Sequence, residues 1–179
     1  MLLRLDSHPK ESVAAIDSFG KKVKYGDLCT FSLELKKCLP ERSFLFLLVQ
    51  NDVGGIAWSI ACLASGNVPL ILNAHTEEGL YNNLYDLYRP SYICVPKGSS
   101  ESFGFKKVAE FYDYVLLHTG ELPVSMYHEL SHLLPTSGST GSPKLVRHKY
   151  ENIEAAALNI STFFELKPVD RPLLVLPLY

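Results

Sequence analysis

Five hydroxyl residues, two glycines and a lysine crowd into one short segment, Leu134-Pro135-Thr136-Ser137-Gly138-Ser139-Thr140-Gly141-Ser142-Pro143-Lys144. Glycine adopts backbone angles closed to other residues, so several N–H groups of a short loop can point at one spot. Serine and threonine hydroxyls add donors on short arms, and Lys144 adds a mobile positive charge. Together these groups suit a polyphosphate. A Ser/Gly surface loop with no ligand has the same composition, and composition alone leaves that alternative open. Spacing removes two common nucleotide motifs. The pattern G-x-x-x-x-G-K-[ST] fails because Gly138 and Gly141 are three apart and Lys144 lies three further on. G-x-G-x-x-G is absent.

Such a loop needs strands and helices to hold it, and the flanking sequence supplies both in alternation. Asp27 can cap a helix that runs to about Leu39, with Leu28, Phe31 and Leu35 on one face, and Pro40 stops it. Ser43–Val49 is apolar on both faces, as a strand between two helix layers would be. Asn51 and Asp52 offer caps for a second helix that ends before Gly66. A strand at Val68–Leu72 follows, then an acidic helix start at Thr76-Glu77-Glu78 with an apolar stripe of Leu80, Leu84 and Leu87. Further strands are expected at Tyr92–Val95, Tyr114–Leu117, Leu130–Leu134 and Leu173–Leu176, and a helix at Asn152–Phe163. Repeated β-α-β units predict an α/β fold, a mostly parallel sheet flanked by helices.

Composition narrows the class. A chain of 179 residues can bury one sizeable core, so a single α/β unit over 1–179 is expected. A formal net charge of -2, without basic or acidic runs, gives nucleic acid nothing to bind. Arg4 and Asp6 interrupt the N-terminal apolar stretch, and the longest apolar runs, Phe44–Val49 and Leu173–Leu178, are too short to span a bilayer. Cys29, Cys38, Cys62 and Cys94 lie far apart with no CxxC pair, which argues against a metal or redox site and for reduced thiols in a cytoplasmic protein.

Other single residues carry blander expectations. His132 is read as structural, and His148 as a polar cap or a group beside the substrate. Trp58 is read as core. Tyr81, Tyr85 and Tyr88 share a helical face that packs on the sheet, and Lys21, Lys22 and Lys24 form a solvated turn. Leu178-Tyr179 closes the chain directly after an apolar segment. That predicts a fragment of a longer protein, against the alternative of a natural C-terminal strand tucked into the sheet. A bare apolar edge there predicts self-association, as a dimer through the C-terminal strand.

The order of residues in the loop is more specific than its composition. Thr136–Lys144, TSGSTGSPK, resembles the signature phosphate loop of the adenylate-forming (AMP-binding) superfamily of acyl-CoA synthetases, luciferases and peptide-synthetase adenylation domains. Ala14–Leu28 resembles that family's opening D-x-x-G-x-x-x-T-Y-x-E-L segment, Trp58–Asn73 its helix-turn-strand, and Asp170–Tyr179 the strand after the loop-helix unit. Departures are Leu145 in place of the usual glycine after the lysine, and Arg147-His148 where relatives have Thr-His or Ser-His. The resemblance implies the first part of the large N-terminal domain of an adenylate-forming enzyme. It implies ATP as cosubstrate, with Mg2+ in the full-length parent, and a carboxylic acid activated as its acyl-AMP for transfer to CoA or a carrier thiol. By the same resemblance Thr136, Ser139 and Thr140 bind the β- and γ-phosphates, assisted by Ser137. Gly138 and Gly141 let the backbone approach, and Lys144 lends charge without being the catalytic lysine. No catalytic residue and no metal ligand is assigned, because the family's adenine, ribose, magnesium and catalytic-lysine motifs have no counterpart in residues 1–179. The parent is thus expected to be an AMP-forming ligase and this chain alone to be inactive. Alternatives are a non-catalytic phosphate- or nucleotide-binding module of the same fold, and a nucleotide-independent α/β scaffold.

Overall fold

Six consecutive apolar residues, Phe44–Val49, form strand β3, which is buried along its whole length. Successive side chains of a strand point to opposite faces, so a strand with no polar side needs a layer on each. A computed structural model describes residues 3–136 and 144–179 and shows both layers. Leu45, Leu47 and Val49 pack with helices α1 (Tyr25–Cys38) and α2 (Val53–Ser65). Phe44, Phe46 and Leu48 face the other way, toward Leu84 of α3 (Glu78–Tyr88). Tyr81, Tyr85 and Tyr88 pack on that second face, and Trp58 is fully buried in the first, as their spacing predicts.

Around β3 lie β4 (Val68–Asn73), β5 (Tyr92–Pro96), β6 (Lys106–Phe111), β7 (Tyr114–His118), β8 (Leu130–Pro135) and β9 (Leu145–Lys149), and α4 (Tyr150–Phe163) follows β9. The sheet order is β6-β7-β5-β3-β4-β8-β9. Its centre, β5-β3-β4-β8, is parallel. Both edges are antiparallel: β7 against β5, β6 against β7, and β9 against β8. A separate antiparallel pair, β1 (Val13–Ile16) and β2 (Lys22–Lys24), precedes α1.

The edges follow from connection length. A parallel return needs a crossover of a dozen or more residues, whereas two residues suffice for a hairpin. Tyr112 and Asp113 join β6 to β7 with φ of 51° and 62°, the positive values that two-residue hairpins require. Residues 136–144 are likewise too few for a crossover, so β9 folds back on β8.

Local signals moved by small amounts. Asp27 does not precede α1. It is the third helical residue, and its carboxylate accepts the Lys24 N–H at 3.0 Å. Asp52 caps α2 as expected, accepting the Gly55 N–H at 2.6 Å, and Gly66 ends it at φ 81°. The expected strand at Leu173–Leu176 is a correction. Among the described residues the segment pairs with no strand, and Leu173 and Leu176 are 85% and 76% exposed. Pro172 and Pro177 flank it and remove donors that a ladder would use. Only its far end is held: Asn51 donates from Nδ2 to the Leu176 carbonyl at 3.1 Å and accepts the Leu178 N–H at 3.0 Å.

Arg42 anchors the entry to β8. It sits at φ 61°, in the left-handed region. Its guanidinium donates to the Gly66 carbonyl at 3.0 Å, to the Leu130 carbonyl at 2.8 Å and to the Tyr127 carbonyl, while its buried Nε has no partner. The end of α2 and the start of β8 are thus tied through one side chain. Hydrogen bonds from a charged donor contribute about 1.5–3 kcal/mol each, and the left-handed backbone costs about 1 kcal/mol or more. Chemical denaturation is expected to show Arg42→Ala destabilised by roughly 2–4 kcal/mol, with Arg42→Gly about 1 kcal/mol less so because glycine relieves φ. Equal losses for the two would remove the strain.

Gly54, in the first turn of α2, allows β7 to approach. A Cβ there would lie 2.5 Å from the Tyr112 carbonyl oxygen and 2.5 Å from the Tyr114 ring. Alanine gains about 1 kcal/mol of helix propensity over glycine, but overpacking of this kind costs about 1–3 kcal/mol. Gly54→Ala is therefore expected to lower stability in urea, where an unobstructed helix would gain from it.

Candidate functional site

Parallel strands that start at one edge also end together, and the carboxyl ends of β3, β4 and β8 share one rim of the sheet. Val49 is level with Asn73, and Leu70 with Leu133. Carrying the second register three residues on sets Asn73 level with Thr136. The segment 136–144 therefore leaves the sheet at the carboxyl edge of its parallel part, the edge at which open α/β sheets bind ligands.

Of the seven sequence-predicted site residues, the structure places two, Thr136 and Lys144. Ser137, Gly138, Ser139, Thr140 and Gly141 lie outside the described residues. Thr136 and Lys144 form the neck of the loop. The Thr136 N–H donates to the Lys144 carbonyl at 2.9 Å, and the Thr136 hydroxyl donates to the same oxygen at 3.2 Å. The Lys144 side chain is exposed.

A polar network on the same rim escaped the sequence reading. Gln50 follows β3 and His75 lies two residues beyond β4, and their Nε2 atoms are 3.2 Å apart. Asn73 sets the turn, accepting the His75 N–H at 2.8 Å on its side chain and the Thr76 hydroxyl at 2.7 Å on its carbonyl. Beneath it the Gln50 N–H donates to the Tyr114 hydroxyl at 3.0 Å, and that hydroxyl donates to the Asp52 carboxylate at 3.1 Å. Burial raises the Tyr114 phenol well above its usual range, and the adjacent Asp52 charge adds to the shift, so it stays a donor. These residues come from three separate segments. Only the strand order brings them together, so no spacing in the sequence could reveal them.

His132 and His148 also meet. They are register partners on β8 and β9, with ring centroids 4.5 Å apart and planes within 4°. Burial lowers the His132 pKa to about 4, helped by the neighbouring His148. His148 is thus part of the β9 ladder and not the cap of α4. No group of three or more His, Cys, Asp or Glu residues among the described residues could hold a metal ion. The four cysteines are free, with Cys62 and Cys94 buried. No described helix is long and apolar enough to cross a membrane.

No protein-family model matches the chain, and no curated protein matches it in sequence. Solved structures do match it in shape. One is O-succinylbenzoate coenzyme A synthetase (MenE) from Bacillus subtilis in complex with AMP, at TM-score 0.74 and 17% identity over 99% of this chain and 49% of that one. The same enzyme in complex with ATP and magnesium ion gives 0.73 and 18% over 99% and 50%. Apo MatB from Rhodopseudomonas palustris gives 0.75 and 15% over 98% and 39%. The chain thus spans half or less of the length of these structures. At such identities the likeness establishes the architecture alone: the chain has the fold of the matching portions of O-succinylbenzoate coenzyme A synthetase and MatB.

Proposed function

We propose that the chain carries the ATP phosphate-binding loop of an ATP-dependent carboxylate–AMP ligase, with CoA or a carrier thiol as the final acceptor. The observation that carries this reading is positional. A segment with the composition and order of a polyphosphate loop leaves the carboxyl edge of a parallel strand, in a fold shared with an enzyme captured with ATP and magnesium ion. In the ligase reaction a carboxylate attacks the α-phosphorus of ATP and pyrophosphate leaves, so catalysis consists of positioning and of stabilising charge on phosphate oxygens. Thr136, Ser139 and Thr140 would offer hydroxyls and amides to the β- and γ-phosphates, with Ser137 beside them. Gly138 and Gly141 would admit the phosphates close to the backbone, and Lys144 would bring positive charge to the neck. The Thr136 hydroxyl would exchange its bond to the Lys144 carbonyl for one to phosphate. Magnesium, bound with ATP, supplies further neutralisation of phosphate charge. Four free thiols are in keeping with a reducing cytoplasm.

Equilibrium dialysis with ATP tests the loop. The 179-residue chain is expected to bind ATP weakly and Lys144→Ala to bind it roughly tenfold less, the loss of one charge-assisted contact. Undiminished binding by Lys144→Ala would remove the loop from the site. Adenine, ribose and magnesium groups of the kind the family uses have no counterpart in residues 1–179. The chain by itself is therefore expected to catalyse no carboxylate-dependent ATP–pyrophosphate exchange, and robust exchange would show the assignment of parts to be wrong.

We also propose that the chain self-associates. Helix α4 buries none of its residues, and large exposed apolar side chains concentrate from its end onward, with Phe163 80% and Leu173 85% exposed. Exposed apolar side chains in this number favour a partner, and a net charge of -2 offers little repulsion to a second copy. Light scattering at high micromolar concentration is expected to report a dimer that Phe163→Glu with Leu173→Glu dissociates. A monomer throughout, or a dimer that the double variant leaves intact, would exclude this surface.

A further inference from the structure

Directly opposed residues on antiparallel strands hold their Cβ atoms about 4.5–5.5 Å apart. Two imidazoles carried at that spacing can share one ion through metal–nitrogen bonds of about 2.0–2.1 Å. His132 and His148 occupy such positions on β8 and β9, and both residues are half-buried. The surrounding hydrogen bonds assign a tautomer. The Ser131 hydroxyl donates to the His148 carbonyl at 2.7 Å, which uses its only proton. Its 3.1 Å contact with His132 Nδ1 therefore has Nδ1–H donating to Ser131 Oγ, and the lone pair sits on Nε2. An imidazole whose Nδ1–H is held by a neighbour is oriented to bind metal through Nε2. Burial and the facing ring keep His132 neutral near pH 7, the form a metal binds.

We propose that His132 and His148 form a two-point site for a late first-row transition-metal dication, Ni2+, Cu2+ or Zn2+, that staples β8 to β9. Imidazole ligands favour these ions over Mg2+ or Ca2+. In the structure the rings are stacked and parallel. Converging on an ion requires the His148 ring to turn about χ2, a broad torsion in histidine, while the bond to Ser131 holds His132 in place. No third His, Cys, Asp or Glu joins them among the described residues, so water completes the coordination and the affinity is that of two ligands. The site is independent of the nucleotide reading: it stands or falls on β8 and β9 alone.

Calorimetric titration of the tag-free 179-residue chain with Ni2+ tests it. A single equivalent is expected to bind with micromolar affinity, and the Tm to rise by roughly 3–6 °C at tenfold free metal over its dissociation constant. His148→Gln is expected to abolish both effects while far-UV circular dichroism stays unchanged. His75→Gln and His128→Gln, elsewhere among the six histidines, are expected to leave them intact. With Cu2+, electron paramagnetic resonance is expected to show two ligating nitrogens in the parent chain and at most one in His148→Gln. Binding that survives His148→Gln, or none tighter than millimolar in the parent, would leave the pair as a ring stack only.

Discussion

The burial of β3 on both faces is the constraint on which the rest of the structure depends. Phe44–Val49 contributes six large side chains and no polar one, so neither face can meet water. Burying one such side chain contributes about 1.5–3 kcal/mol, and β3 does so in both directions at once. Two helix layers are then obligatory, and α1 and α2 supply one while α3 supplies the other. Crossover helices on opposite faces in turn force β4 and β5 to flank β3 in parallel. The shared carboxyl rim, where Gln50, Asn73 and His75 gather and β8 ends, is a consequence of that parallel order and not of any local motif.

Where the chain lacks length for a helix it reverses. The two-residue turn after β6 and the short segment after β8 both yield antiparallel neighbours, and they do so at the two edges of the sheet. The reversal after β8 shapes the candidate site. It makes the loop a hairpin connection whose ends are closed by bonds between Thr136 and Lys144. A loop whose two ends leave neighbouring strands is held at both ends by one ladder, while a loop followed directly by a helix is held by a strand at one end only.

Much of the fold was legible because strong local signals agreed with the tertiary outcome. The two-faced run at Phe44–Val49, the Asp52 cap and the Gly66 terminator each act within a few residues of their cause, and each lies where its pattern predicts. Tyr114–Leu117 was legible as a strand but not in direction, because direction depends on a turn of tyrosine and aspartate that carries none of the usual glycine or asparagine signal. Leu173–Leu176 has the composition of a buried strand, but burial requires a partner, and prolines on both sides deny it a full ladder. At the candidate site, composition and order single out 136–144, and the structure describes only its neck, Thr136 and Lys144. The Gln50–His75 contact, the Tyr114–Asp52 bond and the facing histidines depend on strand order and register, which no single segment encodes.

Arg42 shows how the rim is supported from the far end of the sheet. The loop is placed by β8, which pairs in parallel with β4 with Leu70 opposite Leu133. A slip of β8 by one residue would exchange its faces. The guanidinium of Arg42 prevents this by binding the Tyr127 and Leu130 carbonyls at the entry to β8 and the Gly66 carbonyl at the end of α2, which itself leads into β4. β4 and β8 are thereby indexed to one another at their amino ends by the same side chain. From that fixed end, equal rise per residue carries Asn73 and Thr136 to the same level at the carboxyl rim. The left-handed backbone of Arg42 is the cost of aiming one arginine at three carbonyls, and what it secures is the height at which the loop begins.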